Sequence, residues 1–387
     1  MKIHYLMPTR IVMGENCINE QRNLVSALGK KAFIVTGKSS ARNNGAYNDV
    51  VKALEANNQE HVLYDKVTAN PTEVCVCEAG KLARETRCDF VIGIGGGSPM
   101  DAAKAAAVLA LNNISKEELF TLGFKSALPN IAVPTTAGTG SETTQYSVLV
   151  DTTEEDGITP KLKGPAKRSI SSALMFPQIA FLDAKYMKNL NRDFTVHTAI
   201  DALTHAIEGM LTLRANHISD MLAAESLAML LDCAGDLLAF PEDPSSFPME
   251  KREKLLLASC IAGMEIAQSG TAAPHSMGYH FTLNWGTDHG RANGLLLKSF
   301  LLFCQEKEKA MQKDDPSFQP RIPKLRAALG MDLEKLFNIT EKLLVKREKA
   351  GEEEIKRWCA FSMKNAANTY TLPDKEEIER MFRESVG

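Results

Sequence analysis

The sequence predicts an α/β first half, Rossmann-like with a doubly wound and mostly parallel sheet, followed by an all-α second half. Short apolar runs alternate with helical patterns in the first half, a glycine-rich turn follows one such run, and strand-like runs nearly vanish after residue 193. Because 387 residues exceed one ordinary core, we expect two domains. Residues 1–185 would form a dinucleotide-binding α/β domain, and 186–387 an all-helical metal-binding and catalytic domain.

The first half contains four strand candidates, each a short apolar run next to turn-forming residues. Lys31-Ala-Phe-Ile-Val-Thr-Gly37 has the continuous apolar character of a strand that is buried on both faces. Pro99 stands near the first position of an Ala-rich helix, where proline is favoured. The predicted strands are 31–37, 61–64, 89–95 and 130–134, and the predicted helices are 46–58, 73–87 and 100–111. This alternation is typical of a parallel sheet that is covered by helices.

The second half carries helical periodicity almost throughout. The predicted helices are 196–213, 218–239, 250–268, 291–307, 332–349, 352–368 and 374–384, with loops at 241–248 and 313–320. No repeat or low-complexity segment interrupts them.

Composition argues against several classes of protein. Apolar residues make up 44% and charged residues 24%, as in ordinary globular proteins. A net charge of −3 without a basic block argues against a nucleic-acid partner. No apolar run reaches about 18 residues, so we expect no membrane span. The N-terminus lacks the apolar core of a signal peptide, and the 8 scattered cysteines fit reduced thiols in the cytoplasm.

A dispersed set of metal-binding side chains lies in the second half. Asp201 and His205 are four residues apart, which on a helix places both on one face, one turn apart. His275 and His289 follow further along the chain. One carboxylate and three neutral imidazoles suit Fe²⁺ or Zn²⁺ and leave room for a substrate oxygen. If the four side chains converge, the protein is a metalloenzyme.

Two turns rich in small residues follow predicted strands. Residues 95–98 (GGGS) open a helix, whose N-terminal amides and positive dipole end form a phosphate cradle; a tight structural turn is the alternative. Residues 134–142 (PTTAGTGSE) offer threonine hydroxyls, with a solvated loop as the alternative. Two such turns at strand ends fit a dinucleotide at the carboxyl edge of the sheet.

Four motifs in order give the chain a family resemblance. They are GGGSPMD at 95–101, PTTAGTGSE at 134–142, DALTHAIE at 201–208, and HG followed by Asn293 at 289–293. Together they resemble the iron-containing (group III) alcohol dehydrogenase family over essentially the whole chain. The resemblance implies a nucleotide-binding α/β domain, a helical domain and a cleft between them.

The resemblance also implies roles for individual residues. The four positions that match the metal ligands of the family are Asp201, His205, His275 and His289. The positions that match its cofactor contacts are Gly95, Gly96, Gly97, Ser98, Asp101, Thr135, Thr136, Thr139 and, by a weaker match, Lys167.

The segment after the first predicted strand bears on the choice of nicotinamide. Many NAD-using relatives carry an aspartate at the position of Gly37, which would bond the ribose 2′-hydroxyl and repel a 2′-phosphate. This chain has Gly37 followed by Lys38, Ser39 and Ser40, which would accommodate a phosphate. We therefore expect NADP(H) rather than NAD(H), with Lys38 on a solvated turn as the alternative.

The sequence departs from the family near the third ligand. Many relatives carry a histidine four residues after it, where this chain has Tyr279, with His280 next. A shift of one residue turns a helical side chain by about 100°, so His280 need not replace that histidine. Tyr279 and His280 are both catalytic candidates. His197, four residues before Asp201, is predicted to pack or to lie on a helix surface, with a contact that supports the metal ligands as the alternative.

These observations predict a metal-dependent alcohol dehydrogenase or aldehyde reductase. It would use Fe²⁺, with Zn²⁺ as the alternative, to transfer a hydride between NADP(H) and a small alcohol or diol. A homodimer is expected from the resemblance, with residues 1–14 at its interface. The competing hypotheses are a dehydroquinate-synthase-like lyase that depends on a metal and NAD, a glycerol-dehydrogenase-like zinc enzyme, and a non-enzymatic metal-binding subunit.

Overall fold

The computed structural model describes residues 3–152, 165–345 and 348–387, without the side chains of residues 364 and 365. The chain forms two compact units. One is Met7–Asn189, and the other is Leu190–Gly387 together with the N-terminal residues up to Leu6.

The first unit is built on a parallel sheet of six strands, which confirms the predicted fold class. The strands of this unit are β1 Arg10–Met13, β2 Lys31–Gly37, β3 Glu60–Val67, β4 Phe90–Gly95, β5 Asn130–Pro134, β6 Tyr146–Asp151, β7 Ala166–Ser171 and β8 Ile179–Leu182. The strand order of the sheet is β1-β8-β5-β4-β2-β3, and every pairing in it is parallel. Strands β6 and β7 form a separate antiparallel pair.

Helices cover both faces of this sheet. They are α1 Cys17–Glu20, α2 Arg22–Ser26, α3 Ser40–Asn43, α4 Ala46–Ala56, α5 Glu73–Glu85, α6 Gly97–Leu111 and α7 Lys116–Phe120. Successive side chains of a strand point to opposite faces, so Phe33 and Ile34 of β2 enter two separate apolar clusters, and both are fully buried. Burial on both faces is the reason that β2 reads as an unbroken apolar run.

The strand order places the sequence motifs at one edge of the sheet. From β2 the chain moves to β3 on one side and later to β4 on the other, so a topological switch lies between β2 and β4. Their carboxyl ends are Gly37 and Gly95, and β5 beside β4 ends at Pro134. Ligands of doubly wound sheets bind at such a switch, outside the carboxyl ends of the strands.

The second unit is helical, as predicted. It contains α8 Arg192–Met210, α9 His217–Asp232, α10 Ala234–Leu238, α11 Met249–Ser269, α12 Ala273–Trp285, α13 His289–Asp314, α14 Ile322–Leu329, α15 Leu333–Leu343, α16 Glu352–Ala366 and α17 Lys375–Val386. Most residues of α8 are buried, because α9, α11 and α13 all pack on it. The polar side chains at its buried positions therefore need polar or charged partners from those helices.

Several elements differ from the predictions. The pattern at 218–239 is two helices, which meet at Cys233, and the one predicted over 332–349 ends at Leu343. In the second unit α12 and α14 were not predicted; α12 contains proline, glycine and two histidines, which weaken its periodicity. In the first unit the short helices α1, α2, α3 and α7 were not predicted. Strands β1 and β8 and the pair β6–β7 were also not predicted.

Two global features of the described residues bear on the setting of the protein. No single described helix has the length and apolarity needed to cross a membrane, and one bent pair, Met249–Ser269 with Ala273–Trp285, meets those two criteria jointly. All eight cysteines lie in the described residues, and none of them forms a disulfide.

Candidate metal centre and cofactor turns

Helix α8 supplies the first two candidate ligands from one face. The Asn191 side chain caps its start by accepting a hydrogen bond from the Phe194 N–H at 2.9 Å. Asp201 and His205 lie one turn apart on this helix and are 2% and 4% exposed. Such burial of a carboxylate requires compensating partners.

Those partners come from helices α12 and α13. One ligand atom from each of Asp201, His205 and His275 lies within 4.8 Å of the other two. The His289 Nε2 atom is 3.8 Å from Asp201 Oδ1, and the His275 Nε2 atom is 3.6 Å from the same oxygen. The His275 ring stacks on the His205 ring, with centroids 4.4 Å apart. The structure therefore brings all four predicted ligands together, although His205 and His275 are seventy residues apart in the sequence.

The environment of His275 fits a bound cation. Its Nδ1–H donates to Glu208 Oε1 at 2.6 Å, so in the neutral imidazole that binds a metal the lone pair is on Nε2. Nε2 is buried, and among the described residues it has no hydrogen-bond partner. A lone pair without a partner, directed at a carboxylate and two imidazoles, is the arrangement that a divalent ion satisfies. Three nitrogens and one oxygen are a donor set for Fe²⁺ or Zn²⁺.

The electrostatics of the cluster show strong coupling. Burial alone would raise the pKa of Asp201, but His205, His289 and His275 hold it well below its usual range. Burial alone would lower the pKa of His275, but Glu208 and Asp201 raise it to about 9. The cluster thus attracts positive charge. A divalent ion would supply that charge in place of protons, because imidazoles bind metals in their neutral form.

Small residues and an amide fix the spacing of the helices around Asp201. Asn293 Nδ2 donates to Asp201 Oδ1 at 3.1 Å. Gly278 makes room for this amide, because a Cβ there would lie 2.3 Å from Asn293 Oδ1. Asn293, the last residue of the fourth sequence motif, therefore orients the Asp201 carboxylate.

His197 makes a hydrogen bond next to the candidate ligands, which favours the alternative of a supporting contact over simple packing. Its Nδ1 donates to Asp288 Oδ2 at 2.7 Å, and Asp288 directly precedes His289. This bond lowers the pKa of the Asp288 carboxyl. His197 thus ties the start of α13 to α8. The periodicity of one helix could not reveal a partner 91 residues away.

Glu208 was not among the predicted site residues, although it ends the DALTHAIE motif. It is fully buried and contacts His275 through one oxygen, while the other accepts from the Ala272 N–H at 2.8 Å. Its spacing of three residues from His205 was the available signal, because residues three and four apart share a helix face.

The two catalytic candidates on α12 lie in different surroundings. The Tyr279 ring stacks on His289, with centroids 5.8 Å apart. His280 lies among Trp358, Phe361 and Phe382, and burial lowers its pKa to about 4. Tyr279 is thus beside a candidate ligand, whereas His280 belongs to an aromatic cluster.

The glycine turn of the α/β unit is shaped by close contact with the second turn. Gly95 has φ +146°, a conformation that favours glycine. A Cβ on Gly96 would lie 3.1 Å from Thr136 Oγ1, and one on Gly97 would lie 2.9 Å from Thr139 Cγ2. The Thr135 N–H donates to the Gly95 carbonyl at 2.9 Å, joining the turns. The first turn stands at the N-terminus of α6, where free amides attract anions.

Three other predicted cofactor residues make hydrogen bonds or strand pairings within the protein. The Ser98 hydroxyl accepts from the Asn70 N–H at 3.2 Å. The Asp101 carboxylate accepts from Ser141 Oγ at 2.6 Å and from the Val148 N–H at 2.9 Å, so it fastens the second turn and β6 to α6. Lys167 lies on β7 opposite Val150. Contacts of these three residues with a cofactor stay predictions.

The segment beyond β2 is open to solvent. Lys38, Ser39 and Ser40 are exposed, and Gly37 is half-buried. A Cβ at Gly37 would meet only ordinary contacts, with the Val67 carbonyl at 3.4 Å and Ser40 Oγ at 3.7 Å. The position could therefore carry a larger side chain, and glycine is not required there by space.

An α/β unit with a glycine turn and a helical unit that gathers one aspartate and three histidines are the two parts expected of an iron-containing alcohol dehydrogenase. The family description "Iron-containing alcohol dehydrogenase" matches residues 8–184, and "Fe-containing alcohol dehydrogenase family, C-terminal" matches residues 195–386. The chain belongs to this family and is an NAD(P)-dependent oxidoreductase of the alcohol dehydrogenase class.

Individual relatives agree with that assignment. The probable alcohol dehydrogenase EutG of Escherichia coli is 32% identical over 309 residues, which cover 78% of this chain and 74% of the relative. The iron-containing alcohol dehydrogenase of Thermotoga maritima superposes with a TM-score of 0.85 at 34% identity, over 99% of each chain. The sulfoacetaldehyde reductase of Bifidobacterium kashiwanohense, solved with NAD⁺, gives 0.82 at 27% identity, over 100% of this chain and 99% of that one.

Proposed function

We propose that the protein is a metal-dependent alcohol dehydrogenase, or an aldehyde reductase in the reverse direction, that exchanges a hydride between NADP(H) and a small alcohol or diol. The observation that carries the proposal is the convergence of Asp201, His205 and His275, whose ligand atoms lie within 4.8 Å of one another, with His289 beside them. Each of these residues would hold one position of the ion. A bound ion would supply Lewis acidity, and a bound nicotinamide cofactor would supply or accept the hydride.

The side chains around the centre support defined roles. Asn293 and the helix contacts at Gly278 hold the Asp201 carboxylate in one orientation. The phenol of Tyr279, beside His289, would donate a hydrogen bond at the substrate oxygen. We assign no proton transfer to His280, because its half-buried ring packs among aromatic side chains.

The proposed preference for NADP(H) rests on the end of β2. Gly37 presents no carboxylate there, and exposed Lys38 would attract a 2′-phosphate. Fe²⁺ is the proposed ion, because the family is defined by iron; Zn²⁺ would fit the same donor set.

The environment of Arg291 argues against the lyase hypothesis. A lyase acting on an acidic sugar phosphate would need cations free to bind it. Arg291, two residues after His289, makes a bidentate ion pair with Glu348 at 2.7 and 2.9 Å. The glycerol-dehydrogenase-like alternative would use one ligand fewer than the four that converge here.

We also infer a homodimer in the cytoplasm, joined through the N-terminal segment. Strand β1 is at the edge of the sheet, and edge strands readily pair with another chain. Ile3, Tyr5, Leu6 and Met13 are all exposed, at 37–41%. Light scattering would then give twice the 42.4 kDa chain mass, and Met13→Arg would lower it.

The decisive experiment is oxidation of an alcohol panel, with the reverse reaction on the aldehydes. Protein would be stripped of metal, reloaded separately with Fe²⁺ or Zn²⁺, and assayed with each nicotinamide. Metal-dependent turnover that is faster with NADP(H) is expected. Equal turnover without metal would contradict the proposed centre, and faster turnover with NAD(H) would contradict only the cofactor preference.

A further inference from the structure

One face of α8 carries four buried polar side chains, of which only two are proposed ligands. His197, Asp201, His205 and Glu208 are spaced by four, four and three residues, so they form one stripe along the helix. Glu208 is the most deeply buried, at 0% exposure. A buried carboxylate is costly unless it serves bonded partners, so its position beyond the ligands needs an explanation.

Both oxygens of Glu208 are used as acceptors. Oε1 accepts from His275 Nδ1 at 2.6 Å. Oε2 accepts from the Ala272 N–H at 2.8 Å and lies 3.4 Å from the His275 N–H. The carboxylate therefore holds the His275 ring and the first turn of α12 at once. Since a carboxylate accepts only, Nδ1 carries a proton, and in the neutral, metal-binding form of His275 the lone pair is on Nε2.

We propose that Glu208 is a positioning residue of the metal centre: it sets the orientation and the tautomer of His275, so that Nε2 faces the cation. The inference rests on the proposed function, since it presupposes the ion. Carboxylates that accept from a ligating histidine raise the basicity of the imidazole as well as orienting it. Asp201 and Glu208 together also bring two negative charges, which balance a dipositive ion in a buried site.

Glutamine cannot reproduce this arrangement. Its amide has one acceptor oxygen, whereas both oxygens of Glu208 accept: Oε2 from the Ala272 and His275 N–H groups, and Oε1 from His275 Nδ1–H. If the amide oxygen keeps the Ala272 bond, the amide nitrogen donates to Nδ1 and moves the proton of the ring to Nε2. If the amide oxygen keeps the His275 bond, the amide nitrogen faces the Ala272 N–H, and two donors then oppose each other. Glu208→Gln thus changes the hydrogen bonds to His275 and Ala272 while the side-chain volume stays nearly the same.

Glu265 provides a matched control. It is also a fully buried glutamate, on the neighbouring helix α11, and its Oε1 accepts from Ser269 Oγ at 2.6 Å. Burial raises the pKa of Glu265 well above its usual value. Its Oε1 bonds to Ser269 and not to a proposed ligand, and glutamine of the same size can accept the same hydrogen bond. Glu265→Gln should leave metal binding unchanged.

The test is a metal titration with a spectroscopic signature. Wild type, Glu208→Gln, Glu208→Ala and Glu265→Gln would be stripped of metal and titrated with Co²⁺ against a chelator, with visible absorption bands recorded. We expect Glu208→Gln and Glu208→Ala to bind roughly 10- to 100-fold more weakly, with shifted bands, while the control matches the wild type. Equal affinity and unchanged bands in both Glu208 variants would overturn the inference.

A second measurement avoids dependence on folded variants. In Zn²⁺-loaded wild type with ¹⁵N-labelled histidine, long-range ¹H–¹⁵N NMR should show His275 protonated at Nδ1. A proton on Nε2 would overturn the inference although zinc is bound. Failure of the wild type to bind any metal would instead remove the proposed function, and the inference with it.

Discussion

The α-carbon of Gly290 lies against the main-chain carbonyl of His197, so that a Cβ on Gly290 would come within 1.9 Å of that oxygen and 2.8 Å of the Asp201 Cβ. Gly290 directly follows His289, so this contact sets the distance between the start of α13 and α8. The proposed ligands of the two helices can meet only because this position has no side chain.

Replacing Gly290 should damage both stability and metal binding. Gly290→Ala forces the helices apart, at an expected cost of roughly 1–3 kcal/mol in the free energy of unfolding, and moves His289 from Asp201. Urea denaturation and a metal titration would measure the two effects. Gly235→Ala is the control: it lies in helix α10 with no atom within 4 Å of the added Cβ, and should stabilise by about 0.5–1 kcal/mol. Equal effects of the two substitutions would contradict the proposed contact.

Loss of a ligand should remove metal and activity together. His275→Ala and His289→Ala are expected to reduce bound metal well below one equivalent, because each removes a nitrogen donor. Elemental analysis and turnover would be measured on the same samples, with exposed His217→Ala as the control. Full metal content with lost turnover would count against a ligand role.

Chelation should lower the melting temperature of the wild type. An ion that binds only the folded state stabilises it, by about 2.7 kcal/mol when its concentration is a hundred times Kd. Differential scanning calorimetry with and without chelator would measure the shift. His289→Ala should show a much smaller shift, and a shift as large as that of the wild type would place the ion elsewhere.

Glu142 should make stability depend on pH. Burial raises its pKa to about 7 from 4.5, although Lys104 opposes the rise. The folded state holds the proton more tightly than the unfolded state, so this contribution to stability is full below pH 4.5 and is lost as pH rises to about 7. Relative to Glu142→Gln, the wild type should lose up to roughly 3 kcal/mol between pH 4.5 and pH 8. Urea denaturation at several pH values would measure this, and parallel curves for the two proteins would contradict it.

An aspartate at the end of β2 should reverse the cofactor preference. In Gly37→Asp the new carboxylate would repel a 2′-phosphate and bond a ribose 2′-hydroxyl, and the space around Gly37 allows it. We expect kcat/KM with NADPH to fall roughly 10- to 100-fold relative to NADH, since opposed like charges cost several kcal/mol at most. Lys38→Ala should lower kcat/KM with NADPH and leave kcat/KM with NADH unchanged. An unchanged ratio in both variants would contradict the proposed phosphate site.

Tyr279 should contribute through its hydroxyl. Tyr279→Phe keeps the ring on His289 and removes one hydrogen-bond donor, so kcat/KM should fall about tenfold, the effect of one hydrogen bond. His280→Phe should leave kcat near the wild-type value. A larger loss of kcat in His280→Phe than in Tyr279→Phe would reverse the assignment.

Local patterns were enough for much of this protein. The apolar runs of β2 and β4 and the glycines between β4 and α6 predict their elements because strand and helix periodicities act over a few residues. The same local rule placed Asp201 and His205 on one helix face. Local patterns did not predict strands β1 and β8. Each is only four residues long and is defined by its pairing with the other, which lies far along the chain.

By itself the sequence determined the fold class, the order of the motifs and the kind of donors available for a cation. Only the tertiary structure decided that His275 and His289 meet Asp201, that His197 holds Asp288, and that Glu208 accepts from His275. It also showed the Asp101 carboxylate bonded to Ser141 and Val148. These bonds join helices and turns that are tens of residues apart, and their geometry follows from how glycines let the backbones approach. Periodicity along one segment carries no record of that approach.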